Sequence, residues 1–134
     1  MTAVVLRHAS AGHRQAWVGD DRLRPLDTKG RRQAERLVPL LADLGVRRIV
    51  TSPYRRCVET VEPLAAALGV EIVRDERLAE GRGDAARELL GEDGVLACTH
   101  GDVADLLTGV WLGKAKAVVL EHGRVTKTIR APKA

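Results

Sequence analysis

Two histidines and several arginines stand in this chain where short apolar runs give way to polar residues. Ala3-Val4-Val5-Leu6 is followed at once by Arg7-His8-Ala9-Ser10. Arg48-Ile49-Val50-Thr51 leads into Ser52-Pro53-Tyr54-Arg55-Arg56, and Val95-Leu96-Ala97-Cys98-Thr99 leads into His100-Gly101. A guanidinium offers a planar fork of donors suited to a doubly charged oxyanion such as phosphate, and an imidazole can attack phosphorus or carry a proton. With these run ends side by side, two histidines and at least two arginines would meet in one pocket. Helix N-termini after Ser52 and Gly101 would add backbone N–H donors aimed the same way. The segment from Glu80 to Asp84 could close over them. Each member has a plainer account when taken singly. Arg7 and His8 could be solvated charges at a capped strand end, Arg55 or Arg56 a solvated helix face, His100 a helix cap, and Glu80 a surface carboxylate. The conjunction carries the weight.

These groups need a frame that brings run ends together, and the chain alternates strand and helix throughout. Val4 to Leu6 reads as a buried strand, followed by a polar, aperiodic loop from Ala11 to Arg24. Asp27 or Thr28 caps a helix whose Ala34, Leu37, Val38, Leu41 and Leu44 share a face, with Gly45 closing it. Arg48 to Thr51 is a second strand. The next helix carries Val58, Val61, Ala65 and Leu68, ends at Gly69, and is expected to kink or turn irregularly at Pro63. Val70 to Val73 is a third strand, and a short helix follows to about Leu90. Val95 to Thr99 is a fourth strand, with a helix from Asp102 to about Leu112 whose Trp111 closes the core. Ala115–Leu120 and Arg124–Ile129 form an edge hairpin around His122-Gly123. The pattern predicts one α/β domain over 1–134, a three-layer helix/sheet/helix sandwich with a mainly parallel sheet and an antiparallel C-terminal hairpin. In such sheets ligands collect beyond the carboxyl ends of the strands.

Composition narrows the classes. The 134 residues suit one core, with 45% hydrophobic and 30% charged residues, no Phe, two Trp and one Tyr. Leu, Val, Ile and Ala must therefore build the interior. The net charge of +4 is spread through helical segments without aromatic platforms, which argues against nucleic acid as a partner. A small anionic substrate fits the same charge. Cys57 and Cys98 form no CxxC pair and have no ligand-like histidine spacing, so neither zinc nor a structural disulfide is expected. Cys57 reads as a small packing group, His13 and His122 as solvent-exposed, and Trp17 as a candidate for the rim of a pocket. No run approaches the roughly 20 apolar residues of a membrane span, and no signal peptide is discernible, so a cytoplasmic location is expected.

In their order, these segments resemble the histidine phosphatase superfamily, the phosphoglycerate-mutase-like group. Arg7-His8-Ala9 is similar to its Arg-His-Gly motif, which is sometimes Arg-His-Ala. Leu26-Asp27-Thr28-Lys29-Gly30 is similar to its Leu-Thr-x-x-Gly, and Ser52 to Thr60 to its Ser-Pro-x-x-Arg-Ala-x-Gln-Thr. Thr99-His100-Gly101 matches its late Ser/Thr-His-Gly. The resemblance selects Arg56 over Arg55 for the pocket. It implies that His8 is the nucleophile, forming a phosphohistidine that water hydrolyses, with Arg7, Arg56 and His100 clamping the phosphoryl oxygens. Arg77-Leu78-Ala79-Glu80 is similar to an Arg-Leu-x-Glu segment of longer members, which makes Glu80 the expected proton donor, with Asp84 as the fallback.

The chain departs from that pattern at Ala9 and at Arg14, which stands where mutases place an asparagine. Arg14 could bind a second phosphate or remain a mobile surface base, and Gly101 would add a backbone donor to the phosphate site. The segment from Arg7 to Gly30 also resembles the phosphatase domain that follows a Nudix domain in some actinobacterial MutT-type proteins. The expected activity is hydrolysis of a phosphomonoester or related phosphoryl group without metal or other cofactor. Alternatives are a SixA-type phosphohistidine-protein phosphatase, a nucleotide phosphatase, and a catalytically silent phosphate-binding domain. The partner is accordingly a small phosphorylated substrate or a phosphohistidine protein.

Overall fold

The computed structural model describes residues 1–82 and 84–132, with the side chain of Asp84 outside the described part. Six strands form one sheet: β1 (Thr2–Arg7), β2 (Arg48–Thr51), β3 (Ile72–Arg74), β4 (Val95–Thr99), β5 (Lys116–Glu121) and β6 (Arg124–Arg130). Their spatial order is β3-β2-β4-β1-β5-β6. The first four are mutually parallel, while β5 runs antiparallel to β1 and β6 antiparallel to β5. This is the mainly parallel sheet with an antiparallel edge hairpin that the alternation implied, in the three-layer form. Because β1, β4 and β2 lie together, Arg7 sits level with Thr99, and Thr51 level with Cys98. The three polar run ends therefore emerge at one edge of the sheet.

Side chains alternate across the sheet as a pleat requires. Val4, Leu6, Ile49, Leu96 and Cys98 face two helices, α1 (Thr28–Leu41) and α2 (Arg55–Leu68), through Leu37, Leu41, Val61 and Leu64. On the other face, Ala3, Val50, Val95 and Ala97 pack on Leu78, Ala86, Leu89 and Val103, the last from helix α3 (Gly101–Thr108). Val5, Val118 and Leu120 complete that layer with Ala104 and Leu112. Burial on both faces explains why β1 and β4 read as continuous apolar runs.

Several expected boundaries move for identifiable reasons. The helix through Pro63 runs unbroken, because the Val61, Leu64 and Ala65 contacts bury it against the core, and Pro39 is likewise carried inside α1. The third strand starts at Ile72 and not at Val70, since the Val70 N–H closes the end of α2 on the Ala65 carbonyl. Helix α3 stops at Thr108 and not near Leu112, because Gly109 takes a left-handed φ of 73° and ends it. Trp111 consequently lies outside the helix and is 64% exposed, and Leu112 is the residue that fills the core there. The hairpin turn keeps its predicted place, with His122 exposed at φ 52° and Gly123 at φ 80°.

The turn after β1 is the part of the backbone nearest the chemistry, and it is held from several sides. Asp27 caps α1 through the Gly30 N–H, while its other oxygen accepts from Ser10 Oγ and the Gly12 N–H. The Ser10 N–H donates to Gln33, and the Ala9 N–H donates to Thr60. Gly30 has no room for a side chain, because a Cβ there would lie 1.9 Å from the Ser10 carbonyl oxygen. The helix therefore docks its first turn directly on this loop.

Candidate active site

A pocket of about 220 Å³ opens at the strand ends, lined by Arg7, His8, Arg14, Arg56, Glu80, His100 and Gly101, together with Gly12, His13, Arg24 and Lys114. All seven site residues expected from the sequence thus meet in one place. The histidine rings lie edge to face with centroids 5.5 Å apart. His8 is 4% and His100 2% exposed, and Arg56 is 1% exposed. Arg55 instead points to solvent and pairs with Glu59 one turn on.

His8 has a defined tautomer. Its Nδ1 lies 2.8 Å from the carbonyl oxygen of Ala9, which can only accept. Nδ1 therefore carries the hydrogen, leaving Nε2 with its lone pair. Burial lowers the pKa of His8 to about 3, with the charges of Arg56, Arg7 and Lys114 acting in the same direction. Burial likewise lowers His100 to about 2, helped by His8 and Arg56. Both rings are neutral at ordinary pH, and a neutral imidazole is the form that can act as a nucleophile.

The donors around them are fixed without being used up. Arg7 donates from Nη1 to the Leu112 carbonyl, and its guanidinium lies 5.5 Å from the Trp111 ring. A Cβ on residue 101 would meet Arg7 Cζ at 3.0 Å, so glycine there lets the guanidinium lie against α3. Arg56 donates to the carbonyl and the carboxylate of Asp21, at 2.9 and 3.1 Å. Tyr54 is braced between Arg22 and Arg56, with its ring edge-on to His100. His100 Nε2 shares a hydrogen bond with Ser52 Oγ, which also accepts from the Tyr54 N–H. Arg7 Nε, Arg56 Nε and His100 Nδ1 are buried and have no partner among the described residues. Burial without a partner is costly, so three such nitrogens on residues that line one polar pocket make it a candidate oxyanion site.

Glu80 reaches the rim, where Arg14 donates to it, and its other oxygen is 3.8 Å from Arg56. The Gly81 N–H donates to Asp102, tying this loop to α3. Asp84, the fallback donor, has its side chain outside the described residues.

Sequence reasoning missed Asp21, Arg24 and Lys114. Arg24 is 7% exposed and holds the Ala11 carbonyl, while Asp21 joins Arg14, Arg24 and Arg56. Burial works to raise the pKa of Asp21, but the Arg24 hydrogen bond and the surrounding guanidinium charges hold it below the usual carboxylate value. The three-residue spacing from Asp21 to Arg24 was the available signal. His13, expected to be solvated, is exposed but on the pocket rim. Trp17 is not among the pocket residues, and its indole N–H donates to the Asp20 carbonyl. Cys57 packs in the core as expected, with its sulfur 3.6 Å from His100 Nε2, and both cysteines are free thiols.

Among the described residues no group of three or more His, Cys, Asp or Glu is placed to hold a metal ion, and no helix is long and apolar enough to cross a membrane.

The chain is similar to several known proteins in sequence or in fold. The 8-oxo-(d)GTP phosphatase of Mycolicibacterium smegmatis is 40% identical over 124 residues, covering 86% of this chain and 38% of that protein. A probable phosphoglycerate mutase of Shigella dysenteriae is 39% identical over 56 residues, 42% of this chain and 26% of that protein. The chain thus spans well under half the length of either. In fold it superposes on the protein histidine phosphatase SixA complexed with tungstate, with a TM-score of 0.81 at 18% identity, covering 98% of this chain and 97% of that one. A SixA-like protein from Agrobacterium tumefaciens gives 0.75 at 23% identity and covers 98% of both chains. The sequence profile of the histidine phosphatase superfamily (branch 1) matches residues 3–90, which include His8, Arg56 and Glu80. With that match over more than half its length, the chain belongs to the histidine phosphatase superfamily.

Proposed function

We propose that this chain is a phosphatase that hydrolyses a phosphomonoester, or a related phosphoryl group, through a phosphohistidine on His8. The observation that carries the reading is the set of buried, unpartnered nitrogens on Arg7, Arg56 and His100 beside a His8 whose Nε2 is free. A phosphoryl group entering the pocket would satisfy all three. His8 Nε2 bonds to phosphorus as the bond to the leaving oxygen breaks, and the leaving oxygen takes up a proton. Water then attacks the phosphohistidine, releasing phosphate and restoring the neutral ring. Arg7, Arg56 and His100 bind the equatorial oxygens throughout, so catalysis comes from positioning and charge stabilisation.

Glu80 is the proton donor in this reading. It is held by Arg14, which is more than half exposed and can turn to an anionic group of the substrate, freeing the carboxyl. The chemistry calls for no metal. The substrate is a small phosphorylated molecule or a phosphohistidine protein in the cytoplasm, and the whole chain acts as one domain. Similarity to a relative named for 8-oxo-(d)GTP favours a nucleotide among the small molecules.

The test is hydrolysis of p-nitrophenyl phosphate. Wild type turns it over with EDTA present, and acid-quenched enzyme holds labelled phosphohistidine, whereas His8→Ala does neither. A correctly folded wild type with no turnover and no label would leave only a phosphate-binding domain.

A further inference from the structure

Beside the active site lies a second, larger cavity of about 680 Å³, between the first half of α1 and the start of β5 with the end of β6. Among the described residues its charged lining is cationic: Lys29, Arg32 and Arg36 on the helix side, and Lys114, Lys116 and Arg130 on the strand side. The rest of its lining is Thr28, Gln33, Ala115, Ala131 and Pro132. Among the described residues none of the six cations pairs with a carboxylate, although the other ion pairs engage seven arginines elsewhere. Six cations lining one cleft exceed the net charge of the whole chain, which is +4.

The charges are arranged against the stability of the fold. Lys29, Arg32 and Arg36 stand three and seven residues apart on one helix face, where like charges repel. Lys116 and Arg130 are direct cross-strand partners, and like charges in that position are also destabilising. A fold retains such repulsion where it serves an anion. Between Lys114 and Lys116, Ala115 adopts φ 58°, a left-handed backbone that costs a non-glycine residue energy. Its N–H donates to the carbonyl of His8. Lys114 lines both cavities, so the cleft adjoins the pocket of the nucleophile.

We infer that this cleft holds the remainder of the substrate, and that the substrate is a small molecule carrying further phosphate or carboxylate groups beyond the one transferred. This rests on the phosphatase reading and names its substrate class. The pocket at His8 has room for a phosphoryl group and few further atoms, whereas the cleft falls in the range of small-molecule sites. The helix-side cations span about 10 Å from Lys29 to Arg36 at 1.5 Å per residue. That length suits several anionic groups in a row. No aromatic side chain lines the cleft to stack a nucleobase or anchor a protein, and the exposed large apolar residues lie elsewhere. An acidic protein segment or a nucleic acid strand is therefore the weaker fit.

The test compares inorganic tripolyphosphate with orthophosphate by calorimetry on the full chain, which needs no turnover. It stands even if aryl phosphate hydrolysis fails. Wild type binds tripolyphosphate at least about tenfold more tightly than orthophosphate, a difference of ~1.4 kcal/mol. That ratio falls to near one in the Arg32→Ser/Arg36→Ser protein, and drops severalfold in Arg130→Ser on the opposite wall. Thermal melts recorded alongside confirm that both variants stay folded at the titration temperature. A ratio near one in wild type overturns the inference. So does a high ratio that both variants retain, which would place the extra phosphates at the catalytic pocket. Tight binding of a glutamate-rich decapeptide with weak binding of tripolyphosphate overturns it in favour of a protein partner.

Discussion

The two cationic regions of this molecule handle charge in opposite ways. In the pocket at His8, Arg14, Arg24 and Arg56 are each paired with a carboxylate, and Arg7 is held by the Leu112 carbonyl. In the neighbouring cleft six cations face one another with no carboxylate among the described residues that line it. The pocket uses Asp21 to hold the Arg24 and Arg56 guanidiniums in place, and the Nε of Arg56 has no partner among the described residues. Such preorganisation is what stabilises a charge that develops during a reaction. The cleft makes no comparable investment in geometry. Its long side chains supply attraction and reach, which is enough for binding and too loose for chemistry.

The comparison can be broken first at Arg56. Replacement by alanine should cost ~100- to 1,000-fold in kcat, as the loss of a preorganised donor does elsewhere. A loss of only a few fold in steady-state assays would mean that the pocket is no more organised than the cleft.

The next effect is on stability against pH. His8 and His100 have pKa values lowered to about 3 and about 2 from an ordinary 6.5. The unfolded chain thus binds protons that the folded one refuses, and folding stability falls as pH drops below 6.5. Each histidine contributes a slope of at most about 1.4 kcal/mol per pH unit, continuing toward its folded value. Denaturant melts between pH 6.5 and about 5.5, above the range where carboxylates titrate, should show this slope. It should flatten in a His8→Gln/His100→Gln protein.

The smallest effect belongs to the cleft. Arg130→Gln removes one member of the cross-strand pair with Lys116 and should stabilise the fold by ~0.2–1 kcal/mol. A lower melting temperature in a thermal scan would show that Arg130 has a structural role.

The pocket was readable from the chain because its residues follow directly on the buried runs of β1, β2 and β4. Those runs show their strand character through continuous apolar composition, and β2 and β4 begin and end where expected. Helix α1 showed its cap and stripe in the same way. The loop from Ala11 to Arg24 has no period, so nothing in its order announced that Asp21 would reach Arg56, thirty-five residues on. The cleft was hidden for a different reason. Lys29, Arg32 and Arg36 looked like dispersed surface charge, since their opposing wall comes from residues about eighty to one hundred positions later. Trp111 was misplaced because Gly109 was read as part of a helix that it in fact ends.

Asp27, Gln33, Thr60 and Arg24 reach the turn after β1 from separate segments, and together they hold Ala9 to Gly12. The loop that carries the chemistry thus has no independent mobility to lose. Heat inactivation should therefore track global unfolding, and slow hydrogen exchange at the Ala9 and Ser10 amides, bonded to Thr60 and Gln33, would show it.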